Sequence, residues 1–332
     1  MVASTLKRPL SDDTVDKESK KSMTEKPNDA MDADLPRDQR QERVFANMRL
    51  RRIVKENHGS DIRQLSFFFN SKNFSAPVGI DHNKTFDKRG AVQRDQTDTS
   101  NILATVGGCQ LNVYDNEHCG DHLDIMSNFD LAAVPQEDEQ LPKRNLNTFC
   151  WLYREGDAWL AAAGADASIH IISLANSQEI DVLHGHSKMI HDLQSNPRND
   201  DHILSTSKDG TIRLWDVNTR RCLVIFEADA TVACFHPSGT KFISGGARGE
   251  LREWTIPAHM AAQDMDEEPL TVEKRHSRLL KKMHGDSYID CIRYANGNVL
   301  TKSINGRMEY WDVDSEKVTQ SLLTVTCFIS LL

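Results

Sequence analysis

Three residues of this 332-residue chain have the types needed for acyl-transfer chemistry: His186, Ser205 and Asp209. A serine hydroxyl activated by a histidine, whose imidazole is oriented by a carboxylate, forms a nucleophilic triad. The adjacent pair His191 and Asp192 could likewise supply a general base and its partner. A structural role explains the same residues better, because a tryptophan and a tight turn accompany them at fixed spacing.

The stretch from His184 to Val217 contains Gly-His, a strand-like segment, Ser-x-x-x-Asp-Gly and a β-rich run that ends in Trp-Asp. This order is typical of one blade of a WD-repeat β-propeller. In such a blade the histidine, serine, aspartate and tryptophan form one buried polar network, which is stable only when every member is satisfied. We therefore expect His186, Ser205, Asp209 and Trp215 to be a structural tetrad and predict that the chain is not an enzyme.

One blade cannot bury both of its own faces, so the motif predicts several stacked blades. Trp215 and Trp254 are 39 residues apart, close to the blade period of about 40 residues. The sequence predicts an all-β propeller over residues 57–323. Its expected blades are 58–118, 122–182, 184–227, 228–257 and 284–323.

The later blades repeat the tetrad only in part. The fifth blade has His284, Thr301, Asn305 and Trp311 in the corresponding places, and Asn305 keeps an acceptor while losing the charge. In the fourth blade Ser244 corresponds to Ser205, but Arg248 replaces the aspartate and the histidine is absent. Asp192 and Asp290 are expected at equivalent blade positions, which also favours a structural role for the His191-Asp192 pair.

The flanking segments differ from the blades in composition. Residues 1–45 are rich in charged residues, serine and proline, and this composition predicts a disordered tail. Lys7-Arg8 and Lys20-Lys21 resemble a bipartite nuclear import signal. The segment 324–332, TVTCFISLL, has no blade context. Since seven blades are commonest in such propellers, we expect an incomplete propeller; a smaller or partner-completed one is the alternative.

Composition narrows the function further. The formal net charge is −9, which argues against general nucleic-acid binding and suits a basic protein partner. The sequence has no apolar run of the roughly 18–20 residues that span a membrane. Its seven cysteines are scattered without a Cys-x-x-Cys pair, as expected for reduced thiols. Neither a phosphate-binding glycine loop nor a metal-ligand motif is present, so we expect no cofactor and no metal.

Three further segments carry a more specific resemblance: ILATVGGCQLNVYD at 102–115, TFCWLY at 148–153 and YIDCIRYANGNVLTKS at 288–303. Together with the third blade they resemble the embryonic ectoderm development/extra sex combs family, which are seven-bladed WD-repeat propellers. The resemblance implies a non-catalytic scaffold of a nuclear Polycomb histone methyltransferase complex that represses transcription. Its implied partners are a methyltransferase subunit and histone tails.

Propellers of that family hold a trimethylated lysine in an aromatic cage, because a quaternary ammonium is attracted to ring faces. The resemblance places two cage positions at Arg63 and Asn147, and neither residue is aromatic. The nearby Phe67, Phe68 and Phe149 are expected in strand interiors. We therefore predict that this chain does not bind methyl-lysine through the family's cage.

A WD-repeat adaptor of another assembly, such as a ubiquitin-ligase receptor or a replication-origin factor, is the alternative function. Many ligase receptors carry Trp-Asp-x-Arg at the end of a blade. Here Trp215 and Trp311 are followed, three residues later, by Asn218 and Asp314. The missing arginine disfavours the ligase-receptor alternative.

Overall fold

The computed structural model describes eight segments of the chain, all within one compact unit. The described residues are 58–68, 102–115, 124–131, 145–154, 157–258, 268–280, 282–295 and 297–323. The chain divides into two units, Met1–Ile53 and Val54–Leu332, and every described residue belongs to the second. The tail expected over 1–45, with its basic pairs, and the segment 324–332 lie outside the described residues.

Among the described residues the structure is built from β-strands and a single 3-10 turn, Lys274–His276. The strands are β1 Gln64–Phe67, β2 Ile102–Gly107, β3 Gln110–Asp115, β4 Asp124–Asp130, β5 Leu146–Arg154, β6 Asp157–Gly164, β7 Ile169–Ser173, β8 Gln178–Leu183, β9 Ile190–Ser195, β10 His202–Ser207, β11 Thr211–Asp216, β12 Arg221–Glu227, β13 Val232–Phe235, β14 Lys241–Gly245, β15 Leu251–Thr255, β16 Leu270–Val272, β17 Arg278–Leu279, β18 Ile289–Ala295, β19 Asn298–Ser303, β20 Arg307–Trp311 and β21 Val318–Leu323.

These strands form five sheets, and each contains four antiparallel strands. The four are consecutive in the chain except in the fourth sheet, which β17 closes, and the third sheet gains β16 as a fifth, parallel strand. We call them blades 1 to 5. The hairpins are set by local turn chemistry. In blade 3, Gly210 adopts φ +87° directly after Asp209, whose Oδ1 accepts the backbone N–H of Thr211 at 2.9 Å. A glycine reaches this left-handed conformation without steric cost, which explains why it follows the aspartate.

The blades pack face to face in chain order. Buried apolar residues join blade 1 to blade 2, blade 2 to blade 3, blade 3 to blade 4 and blade 4 to blade 5. The second strands are buried on both sides, so β6 is lined by the small residues Ala161, Ala162 and Ala163. Trp215 packs on blade 2, Trp254 on blade 3 and Trp311 on blade 4, and each is at most 2% exposed.

Two strands differ from the blade bounds predicted by the sequence. The second blade was expected to begin at residue 122, but β4 pairs with β3 and is the outermost strand of blade 1. The fourth blade was expected to end at residue 257, but β17 pairs with β15 and completes it. Both strands follow polar stretches that interrupt the blade period, and this interruption is why the sequence pattern misplaced them.

Blade 3 has a fifth strand that another blade supplies. The chain leaves blade 4 after β15, and β16 then pairs in parallel with β12, the outer strand of blade 3. Leu270 and Val272 pack against the core shared by blades 3 and 4. The chain then returns through the 3-10 turn to β17. We call residues 270–277 the clasp, because this segment connects the outer rims of two blades.

Candidate functional site

In blade 3 the structure brings together all four residues of the expected tetrad. His186 Nδ1 lies 2.7 Å from Asp209 Oδ2, and its Nε2 lies 2.7 Å from Ser205 Oγ. Trp215 Nε1 donates to the same Ser205 oxygen at 2.8 Å. Ser205 therefore accepts from the indole and donates its own proton to Nε2, and a neutral imidazole protonated at Nδ1 satisfies the whole network.

The charges of this network fit that arrangement. Burial lowers the pKa of His186 below its ordinary value, although the hydrogen bond and charge of Asp209 act against burial. Burial tends to raise the pKa of Asp209, but hydrogen bonds from Thr211 and His186 outweigh it and hold the pKa low. The stable state is thus a neutral imidazole donating to an ionised carboxylate.

This geometry prevents Ser205 from acting as a nucleophile. Ser205 is 0% exposed, and its hydroxyl oxygen is already engaged by Trp215 and His186. A reacting carbonyl would have to come within hydrogen-bond reach of that oxygen, which the buried indole prevents. The side chains that resemble a triad in the sequence therefore connect the first turn of the blade to its strands.

His191 and Asp192 occupy different kinds of position. Asp192 Oδ2 accepts the backbone N–H of Ala233 in blade 4 at 3.2 Å. Burial raises the pKa of Asp192, with the positive charge of Arg293 acting in the opposite direction. The sequence predicted equivalent blade positions for Asp192 and Asp290, and this was wrong. Asp290 is a bulged residue of β18 with no partner on β19, and the equivalent bulged residue of β9 is His191. The position equivalent to Asp192 is Cys291.

Blade 5 builds the tetrad with an additional member. His284 Nε2 lies 2.7 Å from Thr301 Oγ1, which accepts from Trp311 Nε1 at 3.1 Å. His284 Nδ1 lies 2.9 Å from Ser303 Oγ, and Ser303 donates to Asn305 Oδ1 at 2.6 Å. Asn305 therefore reaches the imidazole only through Ser303, whereas Asp209 contacts its histidine directly. His284 is also two residues nearer to its hydroxyl partner, 17 against 19.

Two other blades contain polar networks that the sequence did not reveal. In blade 1, His58 Nε2 lies 2.8 Å from Thr105 Oγ1. A gap of 47 residues separates this pair, so the usual spacing gave no signal. In blade 2, His170 lies between Asp166 Oδ2 at 2.7 Å and Glu179 Oε2 at 3.2 Å. Blade 4 keeps only the bond from Trp254 Nε1 to Ser244 Oγ, at 2.8 Å.

The two cage positions inferred from the resemblance are polar: Asn147 lies on β5, and Arg63 directly precedes β1. Asn147 is a bulged residue of β5, with no partner on β6, as His191 is in β9. Its Nδ2 donates to Ile190 O at 3.0 Å, which ties it to blade 3. Arg63 is exposed just before β1, and its backbone N–H bonds to Val106 O. The β-bulge at Asn147 re-aims that side chain, and neither Asn147 nor Arg63 supplies an aromatic face.

The alternative aromatic residues belong to the core. Phe149 is 1% exposed and Phe68 is 2% exposed, and both contact Trp151, at centroid distances of 6.1 and 5.0 Å. Phe67 is only half-buried, in β1. Phe149 and Phe68 are therefore buried in the core and present no ring face to a ligand in the described structure.

Neighbouring blades are also joined along their innermost strands by side chains that bond to backbone atoms. The Gln64 amide donates to Phe149 O and accepts from Phe149 N, both at 2.9 Å. Thr148 Oγ1 accepts the N–H of Leu193 at 3.1 Å. Thr231 donates to Ile289 O at 2.9 Å. With the bond from Ala233 N–H to Asp192, each described blade is linked to the next; we call these contacts the inner latches.

Other kinds of site find no support among the described residues. No group of three or more His, Cys, Asp or Glu side chains in this part of the chain is arranged to hold a metal ion. No described helix has the length and apolar character needed to cross a membrane. Burial raises the pKa of the Cys222 thiol to about 11, so this sulfur is protonated and unreactive at neutral pH.

The blade order, the buried tetrads and the face-to-face packing define a WD-repeat β-propeller protein. The family description "WD domain, G-beta repeat" matches residues 177–216. Solved structures agree with this fold. The chain is similar to a chain of the Chaetomium thermophilum Polycomb Repressive Complex 2 bound to GSK126, with a TM-score of 0.57 and 17% identity over 78% of this chain and 53% of that one. An active polycomb repressive complex 2 in the basal state gives a TM-score of 0.56 at 16% identity, over 78% of this chain and 50% of that one.

Among WD-repeat proteins, this chain resembles the Polycomb esc and FIE proteins. It is 25% identical to Polycomb protein esc of Drosophila virilis over 277 residues, which are 78% of this chain and 57% of that protein. It is 26% identical to Polycomb group protein FIE2 of Zea mays over 227 residues, 64% of this chain and 57% of that protein. The chain thus spans a little over half the length of these curated relatives.

Proposed function

We propose that this protein is a non-catalytic scaffold subunit of a nuclear Polycomb-type histone methyltransferase complex that represses transcription. The observation that carries the proposal is the extent of the similarity. The alignment with Polycomb protein esc covers 277 residues, whereas the generic WD repeat covers only 177–216. We further propose that residues 57–323 act as the propeller domain, with 1–45 and 324–332 as flanking segments.

The absence of catalysis in this proposal is supported by how the polar side chains are used. Every member of the blade 3 tetrad has its hydrogen-bonding groups engaged within the blade. An acidic propeller, in a chain with net charge −9, suits basic protein partners such as histone tails. The partners in this proposal are a methyltransferase subunit and histone tails, without direct nucleic-acid or membrane binding.

Co-purification tests the scaffold proposal. The tagged full chain is incubated with nuclear extract, and the recovered proteins are identified by mass spectrometry. We expect a histone methyltransferase subunit to be enriched over an unrelated WD-repeat control. A folded chain, verified by its β-type circular dichroism, that recovers only ubiquitin-ligase or replication-origin components would support the alternative adaptor function.

The nuclear location has a separate test. A fluorescent fusion of the full chain should accumulate in the nucleus. Replacing Lys7, Arg8, Lys20 and Lys21 by alanine should reduce this accumulation, since these residues form the proposed import signal. Equal cytoplasmic and nuclear signal for both fusions would exclude an import role for these residues.

The methyl-lysine prediction is tested with histone peptides that differ only in methylation. Because the family resemblance assigns Arg63 and Asn147, which are polar, to cage positions, we expect trimethylated and unmethylated peptides to bind equally. A preference of about tenfold or more for the trimethylated peptide, equal to about 1.4 kcal/mol, would show that a cage exists.

A further inference from the structure

Ser277 lies at the end of the clasp, directly after three basic residues. Lys274, Arg275 and His276 form the exposed 3-10 turn, and Ser277 itself is half-buried. Two backbone hydrogen bonds hold this turn, from His276 N–H to Glu273 O at 2.9 Å and from Ser277 N–H to Lys274 O at 3.2 Å. The backbone on either side, at Glu273 and Ser277, is already extended.

The hydroxyl of Ser277 touches a guanidinium of blade 4. Arg252 Nη1 donates to Ser277 Oγ at 3.0 Å, and Ser277 donates to Lys274 O at 2.7 Å. A second cation is close by, because Lys274 Nζ and Arg252 Nε both bind Glu250 Oε2, at 2.9 and 3.3 Å. The hydrogen bond from Lys274 is the main reason that the pKa of Glu250 lies below its ordinary value.

We propose that Ser277 is a phosphorylation site for a basophilic serine/threonine protein kinase. Kinases of this class read Lys or Arg two and three residues before the serine, through carboxylates in the substrate groove, and Arg275 and Lys274 occupy these positions. The Ser277 oxygen forms a new bond to the γ-phosphorus of ATP, the bond between that phosphorus and the bridging oxygen breaks, and ADP leaves. The hydroxyl proton passes to the kinase's catalytic carboxylate.

The structure also provides a receptor for the product. A phosphoserine carries a charge of about −1.5 to −2 at pH 7 and pairs best with arginine, because guanidinium and phosphate match in a bidentate geometry. Arg252, on β15, already reaches the oxygen that would be phosphorylated. Arg278 follows Ser277 directly and is 45% exposed, with ion pairs to Glu253 and Glu316.

Phosphorylation at this position should tighten the clasp. The strand that follows the clasp, β17, pairs with β15 of blade 4 through only two residues, so the C-terminal end of the clasp is held by few backbone hydrogen bonds. A phosphate bound to Arg252 would connect the end of the clasp to β15 through charge-assisted hydrogen bonds. The segment that joins the outer rims of blades 3 and 4 would then open less often. This regulation lies beyond the scaffold function and does not depend on it.

The test begins with the folded full chain, the catalytic subunit of cAMP-dependent protein kinase and ATP. Peptide mapping by mass spectrometry should locate a phosphate on Ser277. Ser277→Ala should lose this phosphopeptide, and Arg275→Ala should slow its formation at least tenfold. The exposed Ser238, which follows Phe235, His236 and Pro237 and has no Lys or Arg two or three residues before it, is the internal control. Ser277 left unmodified, or modified only after unfolding in urea, would overturn the proposal.

Hydrogen exchange tests the consequence. In the phosphorylated chain, amides of 270–272 and 278–279 should exchange on the order of tenfold more slowly. In the Arg252→Gln variant, phosphorylation should proceed at the same rate while the slowing disappears. The role of Arg252 as receptor is wrong if exchange in the phosphorylated wild-type chain is unchanged or faster, or if Arg252→Gln retains the full protection.

Discussion

Blades 3 and 5 place a histidine, a hydroxyl and a tryptophan in the same arrangement, but they finish the network differently. In blade 3 an ionised Asp209, nearly buried, accepts directly from His186. In blade 5 Ser303 bridges His284 to an exposed Asn305. The comparison indicates that the hydroxyl and indole define the blade geometry, while the group on the far side of the imidazole can change from a charged acceptor to a neutral relay.

Removing the indoles should have the largest effect, and a similar one in both blades. Trp215→Ala and Trp311→Ala each leave a large cavity between blades and remove one hydrogen-bond donor from a buried hydroxyl, so we expect a loss of about 3–5 kcal/mol in the free energy of unfolding. Urea denaturation followed by circular dichroism measures this loss. A loss below about 1 kcal/mol in one blade alone would show that its indole does not stabilise the fold.

Removing the acceptor on the far side of the imidazole should destabilise the chain more in blade 3 than in blade 5. Asp209→Ala takes the acceptor from the buried His186 and from Thr211, and should cost about 2–3 kcal/mol. Asn305→Ala should cost about 1 kcal/mol, because Ser303 remains as the partner of His284. The same urea titration compares both variants. Equal losses would contradict the relay described for blade 5.

The bridging serine provides a finer test. Ser303→Ala leaves His284 Nδ1 without its partner, and we expect a loss of about 1–2 kcal/mol. The matched control is Ser207→Ala in blade 3, whose hydroxyl bonds only to backbone atoms: it donates to the carbonyls of Lys188 and Met189 and accepts the N–H of Asp209. Its removal should cost about 0.5–1 kcal/mol. If Ser207→Ala loses as much free energy of unfolding as Ser303→Ala, the relay through Ser303 does not stabilise blade 5 beyond an ordinary hydroxyl contact.

The pH dependence should be the smallest effect and should come from both blades. Burial lowers the pKa of His186 and His284 in the folded chain, so the unfolded chain binds protons more readily. The corresponding stability is present above the ordinary histidine pKa of about 6.5 and is lost as the pH falls below it. Denaturation at pH 7.5, 6.5 and 5.5 should show this decline, and His186→Asn should make it shallower. An unchanged slope in His186→Asn would contradict a neutral, buried imidazole.

The sequence was sufficient for the fold class and for the tetrads that keep regular spacing. Trp215 and Trp311, with the Asp-Gly or Asn-Gly turn before them, are local signals, because one hairpin carries both. His58 could not be recognised, since its partner Thr105 lies 47 residues away. The relay through Ser303 also escaped prediction, because spacing alone cannot distinguish a direct contact from one through a neighbouring hydroxyl.

The clasp was beyond sequence reasoning for another physical reason. β16 is only three residues long, and its pairing with β12 joins positions 46 residues apart. Nothing in Leu270–Val272 specifies a parallel partner. Leu270 and Val272 instead pack against the apolar core that blades 3 and 4 share. The assignment of Arg63 and Asn147 to cage positions rests on the family resemblance alone and stays a prediction, because no local pattern in the sequence marks such a position.

The inner latches have a consequence for how such a sequence can change over time. Each latch side chain bonds to a main-chain atom, for example Thr148 to the N–H of Leu193 and Thr231 to the carbonyl of Ile289. Every residue type except proline supplies that N–H, and every residue type supplies that carbonyl. The receiving positions can therefore drift in side-chain identity without breaking the contact between blades. An arrangement of this kind tolerates sequence divergence on one side of each contact between blades.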